Sequence, residues 1–311
     1  MEHLNVSVSP HFFGKSTTQN IMLDVIIALI PAFIASVIIF GWRSLLITGI
    51  CIACCVLSEY VFRKLCKKDN TISDLSAIVT GMLLSFNLPV TVPVWQAVIG
   101  SIVAIVVVKQ LFGGIGQNFA NPAVTARIIM LVAFSGSMTN WTFPDNSVDA
   151  LSGATPLAVA PDGFSSGSNS YITLFLGNHG GCLGETCALA IILGGIYLLI
   201  RKVITWHIPV TFISTVAAMS FLCGKDPLYQ ILSGGLLLAA FFMATDYSTS
   251  PSTAWGKVIF GIGCGLITIL IRFWGSLPEG VSYSILLMNI LTPYISKWTR
   301  QRPLGSGGGA K

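Results

Sequence analysis

Continuous apolar runs recur from Ile21 to Trp298, and that recurrence restricts the fold more than any other feature of the chain. In lipid, every backbone N–H and C=O must be satisfied within its own segment or in a closed barrel. The runs lack the period-two alternation of barrel strands, so they predict helices. Charge excludes a soluble alternative. Only 9% of the 311 residues are charged and 53% are hydrophobic, whereas an ordinary soluble domain carries about 25% charged residues. The expected fold is an all-α membrane protein with about ten transmembrane helices.

The spans are Ile21–Phe40, Ser44–Phe62, Leu75–Leu88, Val94–Val108, Val124–Phe134, Thr186–Ile200, Trp206–Leu222, Leu228–Met243, Val258–Trp274 and Tyr283–Trp298. Leu75–Leu88 and Val124–Phe134 are short, and read either as half-helices or as spans that extend into their Gly-rich flanks. With the amino terminus inside, 13 of the 17 Lys and Arg fall on the inner side, and only Arg43 and Lys225 on the outer side. Arg127 and Arg272 lie in or near spans. Adding or dropping one helix scrambles this separation, so both termini are expected in the cytoplasm. The net charge of +5 follows from the same bias, and no nucleic-acid partner is needed to explain it. Met1 to Asn20 is mixed and polar, so no secretory signal peptide is expected.

Two segments hint at repetition. Asp74–Pro89 reads DLSAIVTGMLLSFNLP and Asp226–Phe242 reads DPLYQILSGGLLLAAFF. They are the third spans of two five-helix halves, and an odd number of spans per half makes the repeat inverted, a plan that places binding sites between discontinuous helices. The expected organisation is a cytoplasmic segment over 1–20, a first repeat over 21–138, an outward-facing loop over 139–184, a second repeat over 185–300, and a tail or linker remnant over 301–311. The stretch Ser135 to Gly184 carries Asp145, Asp149 and Asp162 but no Lys or Arg, which suits an outer, functional loop.

Cys51, Cys54, Cys55 and Cys264 sit in apolar runs and read as small hydrophobes. With no second C-x-x-C partner, no metal is expected, and Cys182 and Cys187 are close enough in sequence for a disulfide. Acidic residues in or near spans are candidate functional groups: Asp24, Asp74, Glu185 and Asp246 are the ion-path candidates. Glu59 is expected to reach the inner interface beside Arg63. Arg127, buried in a span, needs a carboxylate or a flavin as partner. Gly113–Ala123 combines glycines with Asn118 and Asn121 just before a helix start, where free N–H groups suit anionic or carbonyl ligands.

The outer loop contains Asp149-Ala150-Leu151-Ser152-Gly153-Ala154-Thr155. On its own this is a small-residue turn closed by Pro156. Asp-x-x-Ser-Gly-Ala-Thr nevertheless matches a flavinylation motif. GGIGQNFANPA (Gly113–Ala123), GGCLGETCALA (Gly180–Ala190) and MATDYSTSP (Met243–Pro251) also occur in the family's order. On these segments the chain resembles the RnfD/NqrB family of membrane electron-transport subunits over Ile21 to Trp298. It is most like RnfD, because only about twenty residues precede the first span. Asp246-Tyr247-Ser248-Thr249-Ser250 departs from the family's usual Asp-Pro-Val-Thr-Ser.

The resemblance implies FMN joined through its phosphate to Thr155, with Asp149, Ser152, Gly153 and Ala154 as the sequence read by a separate flavin transferase. It further implies a second, non-covalent flavin (riboflavin or another), for which Asn118, Asn121 and Arg127 are candidate contacts. The implied setting is the bacterial inner membrane, in a ferredoxin:NAD⁺ oxidoreductase complex that moves Na⁺ or H⁺. A flavin subunit, iron–sulfur subunits and an NAD-binding subunit are the implied partners, since this chain has no G-x-G-x-x-G fingerprint after a strand. The outward position of Thr155, obtained from charge counting, agrees with the resemblance. The rival readings are a solute channel or transporter on the same inverted repeat with no redox role, and an inert assembly scaffold.

Overall fold

A computed structural model of the protein describes residues 17–142, 152–153, 155–159, 171–275 and 279–300. These residues form a helical bundle with one short antiparallel pairing. Helix α1 (Thr18–Phe40) starts where the Thr17 side chain accepts from the Asn20 N–H at 3.3 Å. It stops at Gly41, whose φ of +73° reverses the chain into α2 (Trp42–Leu65). These two helices and Ala254–Trp274 are long and apolar enough to cross a membrane. Only 28% of the apolar window of α1, and of α2, is buried inside the bundle. Most of the rest of these two helices is exposed or half-buried, with Ile34, Ile38, Trp42 and Leu65 exposed, which suits lipid, not water.

A 3₁₀ turn, Ile72–Asp74, leads into the half-helix α3 (Ser76–Phe86). The next helix, α4 (Val94–Gln110), widens to a π-helix from Val103. Asn121 caps α5 (Pro122–Ala133) by accepting from the N–H groups of Ala123 and Val124 at 3.1 and 3.4 Å, with Pro122 at the first helical position. The short α6 (Ser135–Met138) follows. Strands β1 (Trp141–Thr142) and β2 (Ser152–Gly153) pair antiparallel, and α7 (Pro156–Val159) and α8 (Tyr171–Leu176) complete the central region.

The second half runs through α9 (Ala188–Ile200), α10 (His207–Leu222), α11 (Pro227–Leu232), α12 (Leu236–Leu238, continued as a π-helix to Met243), α13 (Ala254–Trp274) and α14 (Val281–Trp298). Leu228–Met243, which reads as one span in the sequence, is thus two pieces. The break falls at Ser233–Gly235, where Gly234 takes φ +70°.

Interrupted helices expose backbone groups that lipid cannot satisfy. The end of α3 solves this by lying against the 182–185 segment: Leu183 N–H donates to Leu88 O at 3.1 Å and Gly184 N–H to Phe86 O at 3.0 Å. Helix α1 packs on α9 and α5 on α14. The first contact is close because Gly194 lacks a Cβ, which would overlap the Ala28 carbonyl oxygen. All eight cysteines are free thiols, so Cys182 and Cys187 form no disulfide.

Candidate functional site

Three polar features stand out inside the bundle that the described residues form. The first is a cleft lined by α1, α3, α9 and the segments after α4 and α12. Its walls are partly apolar (Met22, Leu198, Phe241, Phe242) and partly polar (Thr80, Lys109, Asn118, Asn121, Asp246). Both asparagines singled out in the sequence are therefore brought together here with Asp246. Asp246 mainly orders its own loop, accepting from the Ser248 N–H at 3.2 Å and from the Ser248 and Thr249 hydroxyls.

At the edge of the cleft, Lys109 Nζ is 2.7 Å from both Glu59 Oε2 and Ser76 Oγ. Glu59 also accepts from the Thr71 hydroxyl at 2.8 Å. The sequence reading puts Glu59 at the interface beside Arg63. It is instead 1% exposed and paired with a lysine, since a carboxylate this deep cannot stay ionised alone. Sequence reasoning misses Lys109 because it stands at the end of an apolar run, where it reads as a loop charge.

The second feature is a buried charge cluster. Arg127 on α5 donates to Asn87 Oδ1 and to Glu185 Oε1, each at 2.8 Å, to Cys182 Sγ at 3.4 Å, and to the Glu279 carboxylate. It does not line the cleft, and its expected partner is a pair of carboxylates. Glu185 Oε2 and Glu279 Oε1 remain without hydrogen-bond partners among the described residues. Cys182, Glu185 and Glu279 have ligand atoms within 4.8 Å of one another, but the guanidinium already supplies the positive charge a metal would bring. Nothing in the sequence singles out Glu279. A glutamate just before a helix gives no hint of a partner so far away in the chain.

The third feature surrounds Thr155. Its side chain is 3% exposed, and its Oγ1 has no hydrogen-bond partner among the described residues. Ser152 and Gly153 form β2 opposite Thr142 and Trp141, while Asp149 and Ala154 lie outside the described residues. The chain after Thr155 covers the break between α11 and α12. The Tyr229 hydroxyl donates to Pro156 O at 2.5 Å, and a Cβ at Gly234 would lie 2.8 Å from Leu157 Cδ1 and 3.3 Å from Arg272 Nη2. Tyr171 ties α8 to this region by donating to the Asp226 carboxylate, and that hydrogen bond raises its phenol above the ordinary value.

The remaining candidates stand apart. Asp24 accepts from the Tyr197 hydroxyl at 3.0 Å and pairs with Arg201 at 3.2 Å, joining α1 to α9. Asp74 closes the 3₁₀ turn before α3.

Sequence comparison gives this geometry its relatives. The profile of the NQR2, RnfD, RnfE family matches residues 5–305. The chain belongs to that family. It is 48% identical to the D-type subunit of the Na⁺-translocating ferredoxin:NAD⁺ oxidoreductase complex of Acetobacterium woodii, with 97% of this chain and 96% of that one covered. It is 41% identical to the corresponding subunit of the proton-translocating ferredoxin:NAD⁺ oxidoreductase complex of Clostridium ljungdahlii, with 97% and 96% covered. It is 37% identical to that of the ion-translocating oxidoreductase complex of Stutzerimonas stutzeri, with 96% and 95% covered. Family membership and the apolar helices together make this a membrane protein.

A file of contacts joins the family's motif segments. Glu185 lies against Gly235, and Arg127 links Glu185 to Asn87. Asn87 Nδ2 is 3.8 Å from Met243 Sδ, and Asn121 Nδ2 donates to Met243 O at 3.3 Å, which reaches the cleft.

Proposed function

We infer that this chain is the RnfD-type membrane subunit of an ion-translocating ferredoxin:NAD⁺ oxidoreductase complex, with FMN esterified to Thr155 and a second, non-covalent flavin in the cleft. One observation carries the covalent assignment. The Thr155 hydroxyl, the last residue of the Asp149–Thr155 motif, is buried yet bonded to no described group. A buried hydroxyl without a partner costs stability and needs another reason to be there. Ester formation to a phosphate supplies one.

The cleft suits a flavin by chemistry: apolar side chains for a ring system, and Asn118, Asn121 and Lys109 as donors to carbonyl oxygens. A bound flavin supplies one- and two-electron transfer, and the protein sets its position and hydrogen bonding. Between cleft and Thr155, the Arg127 cluster offers one oxygen each on Glu185 and Glu279 that has no partner among the described residues. These are the groups on which a Na⁺ or H⁺ could act, with Asp24, Asp74 and Asp246 as outlying candidates. A continuous solute pore is disfavoured, because Arg127 and its two carboxylates fill the middle of the file.

Ten spans in two inverted five-helix repeats, in the bacterial inner membrane with both termini cytoplasmic, complete the reading. The pairings α1 with α9 and α5 with α14 support it, because a two-fold axis that exchanges first with sixth and fifth with tenth spans lets each such pair pack across it. The iron–sulfur, flavin and NAD-binding functions then belong to other subunits, and a flavin transferase loads Thr155.

Intact-mass spectrometry of the full chain, purified from cells that also make the transferase, tests the assignment. The expected result is one FMN phosphoester on the wild type and none on Thr155→Val. An unmodified wild-type chain, or an undiminished adduct on Thr155→Val, would overturn it.

A further inference from the structure

We propose that Arg272 is the counter-cation of the phosphodiester at Thr155, and that the break between α11 and α12 is the cradle holding that phosphate. The inference rests on the covalent reading above and adds a binding residue to it. Arg272 is 7% exposed in α13. Its Nη1 donates to Gln230 O at 2.7 Å and Gln230 Oε1 at 3.2 Å, and its Nη2 to Ser233 O at 3.3 Å. All three acceptors are neutral. No carboxylate lies within 4.0 Å of it among the described residues, those of Glu279 and Glu185 acting on it only from farther off, and its Nε has no partner among them.

A guanidinium at membrane depth is expensive without an anion. Arg127 meets that demand with two carboxylates, whereas Arg272 has a donor to spare. The group that could use it is nearby. Arg272 Nη2 and Leu157 Cδ1 flank the same point above Gly234, and Leu157 is two residues beyond Thr155, whose hydroxyl has no partner among the described residues. Esterification of Thr155 would bring a singly charged diester to this place. Arginine is the side chain best shaped to receive it, through its planar fork of donors. Only glycine fits at position 234, since its φ of +70° and the two close neighbours leave no room for a side chain.

The test is a double cycle on the full chain in detergent, made with and without the flavin transferase. Intact mass verifies the load, and thermal unfolding reads stability. Loading should raise the melting temperature of the wild type by a few degrees, and that of Arg272→Gln by roughly half as much or less. If Arg272 only braces the helix break, the substitution lowers the melting temperature equally with and without flavin, and the proposal fails. Should Arg272→Gln not accumulate, Arg272→Lys replaces it. A single ammonium cannot hold Gln230, Ser233 and a phosphate together, so a loading gain equal to the wild type's would overturn the proposal. A wild-type chain found unmodified despite the transferase would instead sink the covalent reading, which separates the two failures.

Discussion

The two buried arginines are held in opposite ways. Arg127 is locked by Glu185 and Glu279, and Arg272 is held by Gln230 and two backbone carbonyls. Both are 7% exposed, so depth does not explain the difference. The first arrangement answers a charge inside the chain and cannot be loosened without stranding one. The second places a positive potential beside a helix break and leaves it available. A cation met by carboxylates of its own chain fixes the bundle, whereas one with a spare donor can serve a group that arrives later.

This contrast is broken most severely by Arg127→Met. The substitution leaves two carboxylates buried without their cation, at a cost of about 3–5 kcal/mol. A large drop in melting temperature, or failure to accumulate in the membrane, is expected, and adding Glu185→Gln and Glu279→Gln should recover part of the loss. A melting temperature unchanged by Arg127→Met would mean the cluster is not a lock. Arg272→Met in chain lacking flavin removes a donor from neutral acceptors only, so about 1–3 kcal/mol is expected, clearly less than for Arg127→Met in the same unfolding assay. Equal losses would erase the distinction between the two sites. Gly234→Ala should cost about 1–2 kcal/mol through its left-handed backbone alone. Because the new methyl meets Leu157 and Arg272, it should also lower the flavin adduct per chain measured by mass.

Much of this is legible in the sequence, for local reasons. Helix starts at Asn121-Pro122 and Asp226-Pro227 follow from a capping side chain followed by a proline that needs no N–H partner. Leu75–Leu88 is short enough to read as a half-helix, and α3 is one. Arg127 announces itself as a cation in an apolar run. Its partners do not: Glu279 is 152 residues away in sequence, and Glu59 and Lys109 are 50 apart. Such pairings are made by the fold, and no local spacing encodes them. The break inside Leu228–Met243 is hidden for a different reason, since Ser233-Gly234-Gly235 interrupts a Leu-rich run whose hydropathy stays high across it.

The smallest stability effect is expected at Asp24, and it sharpens the comparison from outside. Asp24 pairs with Arg201, whose side chain is 56% exposed, so the pair should contribute no more than about 1 kcal/mol. The Tyr197 hydroxyl still holds Asp24 Oδ1 if Arg201 is lost. Arg201→Ala should therefore shift the melting temperature little, in contrast to Arg127→Met. Asp24→Asn keeps the size and an acceptor for Tyr197 while removing the charge, so it separates packing from ion handling. If Asp24 only joins α1 to α9, complexes carrying Asp24→Asn should drive Na⁺ or H⁺ uptake into vesicles at the wild-type rate. If the carboxylate lies on the ion path, uptake should fall several-fold while the melting temperature stays put, and the route would then have to run along the α1–α9 seam, away from the Arg127 cluster.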